Sequence, residues 1–282
     1  MDPATFKAWV GRTETKIDVA TAAPVSGLAA LLDYVGPPWG DEIPPLSHWF
    51  YFLPQARQSE IDHDGHARRG GFLPPIELPR RMWAGSRLAF HSPIRIGDAI
   101  ERQSRILDVV PKSGSTGQLV FLKLRNEIFA HGALAITEEQ DVVYREAAKP
   151  GAVPPPAPAS ANLLTPQIKR TMRPDSVMLF RYSALTFNGH RIHYDRDYAA
   201  EEGYPGLVVH GPLIATLLTD HFLRHKPRAR ITKFDIRLQA PLFDTEPFDV
   251  CLNEVSGGVA ELWSTRRDGQ VSAMAKLEYN AR

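Results

Sequence analysis

Two stretches of the chain carry the same order of apolar and polar positions. Residues 87–98 read RLAFHSPIRIGD and residues 234–245 read FDIRLQAPLFDT. Each alternates like a strand, meets one proline (Pro93, Pro241), then runs through an apolar pair into an acidic turn. Alternation with a period of two puts successive side chains on opposite faces of a sheet. Further alternating segments follow in both halves, at 99–110, 118–129 and 132–137, and again at 248–254, 259–266 and 271–279. The glycine-rich joins SGSTG and SGG make these segments hairpins. SGSTG is not a phosphate loop, because no strand–loop–helix context or following Lys-Ser/Thr accompanies it.

Helical spacing is rarer. Residues 2–10 form an amphipathic segment with Phe6, Trp9 and Val10 on one side, and residues 26–34 are rich in Ala and Leu. A short helical turn is expected at 197–202. The strongest helix is expected at 212–225, where Pro212 suits the first turn. There Leu213, Ile214, Leu217, Leu218, Phe222 and Leu223 spread apolar surface over most of the circumference. Such a helix has to be wrapped, and a curved antiparallel sheet does that. The expected class is therefore α+β, with each half a sheet around a central helix: the hotdog architecture, present twice as a double hotdog. The proline-rich segment KPGAVPPPAPAS at 149–160 resists both helix and sheet. It separates a first unit, 1–148, from a second, 161–282.

Composition narrows the function classes. The chain of 282 residues is 43% hydrophobic, enough for sizeable cores. Its 33 basic and 32 acidic residues leave a net charge of +1, without the basic excess of a nucleic-acid binder. The single cysteine, Cys251, allows no intrachain disulfide and fits a reducing compartment. The N-terminal residues lack the apolar core of a secretory signal, and no apolar run reaches membrane-spanning length. The expectation is a cytoplasmic protein with no membrane partner.

The chemistry concentrates in residues 182–195, YSALTFNGHRIHYD, which bring Asn188, His190 and His193 within six positions. Residues 206–212, GLVVHGP, then lead into the strongest helix. An imidazole titrates near neutrality and serves as base and then acid. An amide cannot be a base but holds water through hydrogen bonds.

These two motifs resemble the MaoC-like hydratase/dehydratases, whose signature is Ser/Thr-Gly-Asp-x-Asn-Pro-Ile/Leu-His-x-Asp followed by Val-His-Gly before a helix. The matching run is Thr186-Phe187-Asn188-Gly189-His190-Arg191-Ile192-His193-Tyr194-Asp195, and Val209-His210-Gly211 matches the second motif. Asn188 stands where the family has aspartate, His190 where it has asparagine, and Arg191 where it has proline. That altered form resembles one branch: type 2 hydroxyacyl-thioester dehydratases and mesaconyl-C4-CoA or itaconyl-CoA hydratases. Residues 82–98 look like that branch's non-catalytic first hotdog. The resemblance implies a hydro-lyase that adds or removes water across the α,β double bond of an acyl-CoA or acyl-ACP thioester, without a cofactor. His193 is then the base and acid, with His190 in support and Asn188 positioning water. The N–H groups of Gly211 and Leu213 at the helix start would face the enolate oxygen. Arg191 would pair with a substrate carboxylate or a CoA phosphate, and His210 would line the binding site or satisfy backbone at the helix start.

Other clusters carry weaker readings. Asp62-His63-Asp64-Gly65-His66 has metal-ligand residue types but no matching ligand set, so an exposed loop and no metal are expected. Trp39, Trp49, Phe50, Tyr51 and Phe52 read as core or interface, or as the wall of an acyl tunnel. Three functions stay open on sequence: a hydratase of a short branched dicarboxylic enoyl-CoA, a (R)-3-hydroxyacyl-ACP or -CoA dehydratase, and a non-catalytic thioester-binding module. A double hotdog already contains a pseudo-dimer, and a homodimer of the whole chain is compatible with it.

Overall fold

The computed structural model describes residues 6–114, 117–147 and 165–281. The linker at 149–160, the start of the expected helix at 2–10 and the tip of SGSTG lie outside the described residues.

The first half contributes β1 (Thr13–Val19), β2 (Arg80–Phe90), β3 (Ala99–Gly114), β4 (Gly117–Ala130) and β5 (Ala133–Arg145). The second contributes β6 (Ile168–Met172), β7 (Ala229–Leu238), β8 (Phe248–Val255), β9 (Val259–Thr265) and β10 (Val271–Ala281). All ten join one antiparallel sheet in the order β1-β3-β4-β5-β2-β7-β10-β9-β8-β6. Adding five to each first-half strand number gives its counterpart, so the sheet is a repeat folded about its own centre. The seam is β2 against β7, from Gly85↔Arg237 to Ala89↔Lys233. Each half is a hotdog sheet, and the whole is a double hotdog of α+β class.

The prolines of the two repeated stretches end their strands instead of sitting inside them. β2 stops at Phe90 before Pro93, and β7 stops at Leu238 before Pro241. Beyond the proline the apolar pair folds back. Ile43 N donates to Ile94 O (2.9 Å) in one half, and Val209 N donates to Leu242 O (2.8 Å) in the other. The sequence pattern therefore encodes a strand, a corner and a short clasp. In the second half that clasp holds residues 207–209, which matters for the site.

Two edge strands were not apparent from the pattern. β1, TETKIDV, keeps its charged Glu14, Lys16 and Asp18 on the less exposed side, the reverse of the usual alternation. Asp18 explains this: its carboxylate accepts from Phe52 N at 2.7 Å. β6 is only five residues long.

The helices are α1 (Ala22–Leu31), α2 (Ser176–Thr186), α3 (Arg196–Glu201) and α4 (Gly211–His225). α4 is buried from Leu213 to Phe222 and packs against β7, β8, β9 and β2. It is the wrapped helix expected from its apolar circumference. Among the described residues the first half has no equal to it: α1 has ten residues and packs on α2. α2 escaped sequence reading because Val, Phe, Tyr and Thr dilute its helical signal. Asp175 caps it, its carboxylate accepting from Met178 N at 2.7 Å.

Candidate active site

α2 ends at Phe187, which adopts a left-handed conformation (φ 46°) and turns the chain sharply into the motif loop. Asn188 N donates to Ser183 O (2.8 Å), and the Asn188 side-chain oxygen accepts from His190 N (3.0 Å). Asn188 thus shapes the loop with its carbonyl end and leaves its NH2 group as the free end. His193 closes a single 3-10 turn, Arg191–His193.

Val208 fixes His193 from both sides. Val208 N donates to Ile192 O (2.9 Å), and Val208 O accepts from His193 Nδ1 at 2.7 Å. A carbonyl only accepts, so Nδ1 carries the proton and Nε2 holds the lone pair. His193 is buried, and burial pushes its pKa down to about 4. Near neutral pH it is an uncharged base.

The neighbours of His193 are other imidazoles. His210 stacks on it, with ring centroids 3.6 Å apart and planes 19° from parallel. His190 meets it edge-on at 5.4 Å. Burial, aided by the neighbouring histidines, pushes His190 down to about 2 and His210 well below its usual value. Ser183 Oγ lies 2.9 Å from His210 Nε2, and Tyr182 packs against the same ring. The stack is therefore neutral and apolar-walled, a setting in which one free Nε2 is reactive.

These groups line a cleft of about 2450 Å³ between the halves. Asn188, His190, His193, His210 and Gly211 all line it. Gly211 begins α4, where first-turn N–H groups have no helical acceptor. A side chain there would fall 2.5 Å from Leu238 and 2.8 Å from Trp83, so glycine lets the helix start approach the cleft wall. The aromatic stretch divides: Phe50, Tyr51 and Phe52 are core, while Trp49 reaches the cleft.

Three expectations need correction. Leu213 is fully buried in the core and does not line the cleft, so Gly211 is the N–H that reaches it. Arg191 does not line the cleft either. Its guanidinium binds Asp195 Oδ2 (2.7 and 2.9 Å) and His63 O (3.1 Å) and lies 4.5 Å over the Tyr198 ring. Those partners make Arg191 a clamp between the two loops. The 62–66 segment is not simply an exposed loop: Asp62 and His63 are exposed, but Asp64 is buried and His66 lines the cleft.

That segment docks on the motif loop through backbone. Arg191 N donates to Asp64 O (3.0 Å), and Gly65 (φ 89°) passes so near Gly189 that any Cβ would sit 1.7 Å from its carbonyl oxygen. Asp64 accepts from His66 N (2.8 Å) and from His66 Nδ1 (3.0 Å), and the His66 ring lies 4.3 Å from that of His190. Burial works against charge on Asp64, but its bonds to His66 outweigh this and hold the carboxyl well below the usual range. The glycine inside DHDGH was the available signal, since a tight turn could have aimed the flanking residues inward.

A cleft between two hotdog halves, lined by a buried neutral imidazole and the start of a helix, fits the hotdog class of acyl-thioester hydratases and dehydratases. A family model, hydroxyacyl-thioester dehydratase type 2, matches residues 46–244. A mesaconyl-C(4)-CoA hydratase of Chloroflexus aurantiacus is 48% identical over 281 residues, spanning 99% of each chain. Among solved structures, a MaoC-like dehydratase from Phytophthora capsici superposes with a TM-score of 0.75 at 10% identity, covering 100% of this chain and 98% of that one. A Mycobacterium tuberculosis protein described as a double hotdog matches with a TM-score of 0.56 at 14% identity over 96% of each chain. The chain belongs to the hydroxyacyl-thioester dehydratase type 2 family and is a hydro-lyase of acyl thioesters.

Proposed function

We propose that the protein adds water across the double bond of a short, branched, dicarboxylic enoyl-CoA of the mesaconyl-C4-CoA kind. The observation that carries the chemistry is the His193 Nδ1 bond to Val208 O, which leaves Nε2 as the base. Nε2 takes a proton from water as its oxygen bonds the β-carbon. The double-bond electrons move to the thioester oxygen, where the Gly211 N–H and the positive end of α4 stabilise the enolate. The α-carbon then takes a proton. The same groups run the reverse reaction, which accommodates the family's dehydratase activity. Asn188 offers its NH2 group to the water.

Support for a dicarboxylic CoA substrate comes from the relative at 48% identity and from Arg81. Arg81 lines the cleft on β2, and its charge acts on both His66 and His190. Among the described residues it has no ion-pair partner, so it takes the carboxylate-binding role first expected of Arg191. The test compares mesaconyl-C4-CoA with crotonyl-CoA by loss of the conjugated-thioester absorbance. Arg81→Ala should cost about 10- to 100-fold in kcat/KM on the carboxylated substrate, the value of a charge-assisted hydrogen bond, and leave crotonyl-CoA nearly unaffected. Equal losses on both would remove Arg81 from carboxylate recognition, and no turnover of either by the native protein would end the hydratase reading.

A further inference from the structure

The position at which the family carries an aspartate holds Asn188, and the carboxylate of the motif, Asp195, is engaged by Arg191 and by Tyr198 N. The first half brings another carboxylate to the same place. Asp64 and His66 form a carboxylate–imidazole pair at 3.0 Å, on a turn that Gly65 pins against Gly189. Because Asp64 accepts from Nδ1, the other ring nitrogen of His66 is the one left for the cleft, which His66 lines. His190 sits between the two ends, 4.3 Å from the His66 ring and 5.4 Å from the His193 ring.

We infer that His66, oriented by Asp64, is a second catalytic acid/base of the cleft and delivers the α-carbon proton, with His190 as the link to His193. This rests on the hydratase reading above and assigns the proton that reading leaves unplaced. In the hydration direction His193 Nε2 removes a proton from water while the oxygen–carbon bond forms and the electron pair moves to the thioester oxygen. His190 accepts that proton on one ring nitrogen and releases one from the other to His66. His66 is then an imidazolium facing the Asp64 carboxylate. It gives its Nε2 proton to the α-carbon as the enolate electrons return, and all three imidazoles end neutral. One water is consumed, and no proton is needed from outside the cleft.

The surroundings suit a transient cation at His66. Burial, together with Arg81 and Arg69, disfavours its charge at rest, and Asp64 opposes them. An imidazolium formed there is a strong acid that keeps its orientation. The Asp64 carboxylate is engaged by His66 through two bonds, which favours a proton-handling pair over a metal site even though Asp64, His66 and His190 place their ligand atoms within 4.8 Å of one another.

The experiment uses the full chain with mesaconyl-C4-CoA and crotonyl-CoA. His66→Gln should lower kcat by about 100-fold or more, the usual value of a general acid, with KM and the melting temperature near those of the native protein. Added imidazole should restore turnover to His66→Ala. Asp64→Asn should lower kcat less and move the acid limb of its pH profile to lower pH, because His66 must be neutral at rest and loses the counter-charge that favours its protonation. A native enzyme that turns over while His66→Gln keeps full kcat would overturn the inference. So would a loss that follows the melting temperature and resists imidazole. Silence of the native enzyme on both substrates would instead strike the hydratase reading.

Discussion

His193 has one nitrogen committed and one free, and burying that ring uncharged has a measurable cost. Its pKa is about 4 in the folded protein against 6.5 for an ordinary histidine. Between these values the unfolded chain binds a proton that the folded one refuses. Stability therefore rises with pH through this window and falls as the pH drops from about 6.5 toward 4, by about 1.4 kcal/mol per pH unit for each such residue. His190, pushed lower still, adds to the same slope. Denaturant midpoints at pH 7 and pH 5 should show the loss, and His193→Asn should flatten it by about one proton's share. An unchanged slope would contradict the burial of a neutral imidazole. At this scale the motif residues were legible, because Asn188, His190, His193 and Gly211 do meet at one cleft. The role of Arg191 was not, because its partners His63 and Tyr198 converge only after folding. Asp64 and His66 were visible as a cluster but not as part of the site, since 124 positions separate His66 from His190.

Among elements, the clasp at 207–209 and the turn at 62–66 do the positioning. Val209 and Leu207 are tied to the segment after Pro241, so the Val208 carbonyl that holds His193 is itself held. The 62–66 turn is held to the motif loop by Arg191, which donates to Asp64 O and His63 O, and by one close crossing at Gly65. Gly65→Ala would demand a φ of 89° from a residue with a Cβ and would drive that Cβ into the Gly189 carbonyl. The crossing must open, and His66 and Arg191 move with it. The expected result is a kcat loss of at least ten-fold and a lower melting temperature, by roughly the 1–3 kcal/mol that backbone strain costs. Wild-type kcat and melting temperature would mean that the turn does not support the site. The strands were readable from alternation and the central helix from its apolar circumference. β1 and α2 were not, because one turns its charges inward, Asp18 to serve Phe52, and the other dilutes its helix formers with Val, Phe, Tyr and Thr.

Across the whole molecule the repeat has diverged in a useful way. Both halves keep the five-strand sheet, the proline corner and the clasp, and they share one seam. Among the described residues only the second keeps a long wrapped helix, whose first residue, Gly211, lines the cleft. The first supplies Arg81, Trp83 and the 62–66 turn to the other side of that cleft, so its lack of a motif of its own does not make it inert. Ties between the halves run deeper than the seam: buried Asp220 of α4 accepts from Tyr34 Oη at 2.8 Å while also binding Arg170 and Arg224. Among the described residues no helix is long and apolar enough to cross a membrane. The cleft therefore belongs to the pair of halves. The most direct measurement is mass spectrometry of the product formed from mesaconyl-C4-CoA in oxygen-18 water. The native protein should place one heavy oxygen in the hydrated thioester at a catalytic rate, and His193→Ala should place almost none while remaining folded. Equal labelling by the variant, or none by the native protein, would contradict a hydration driven by His193.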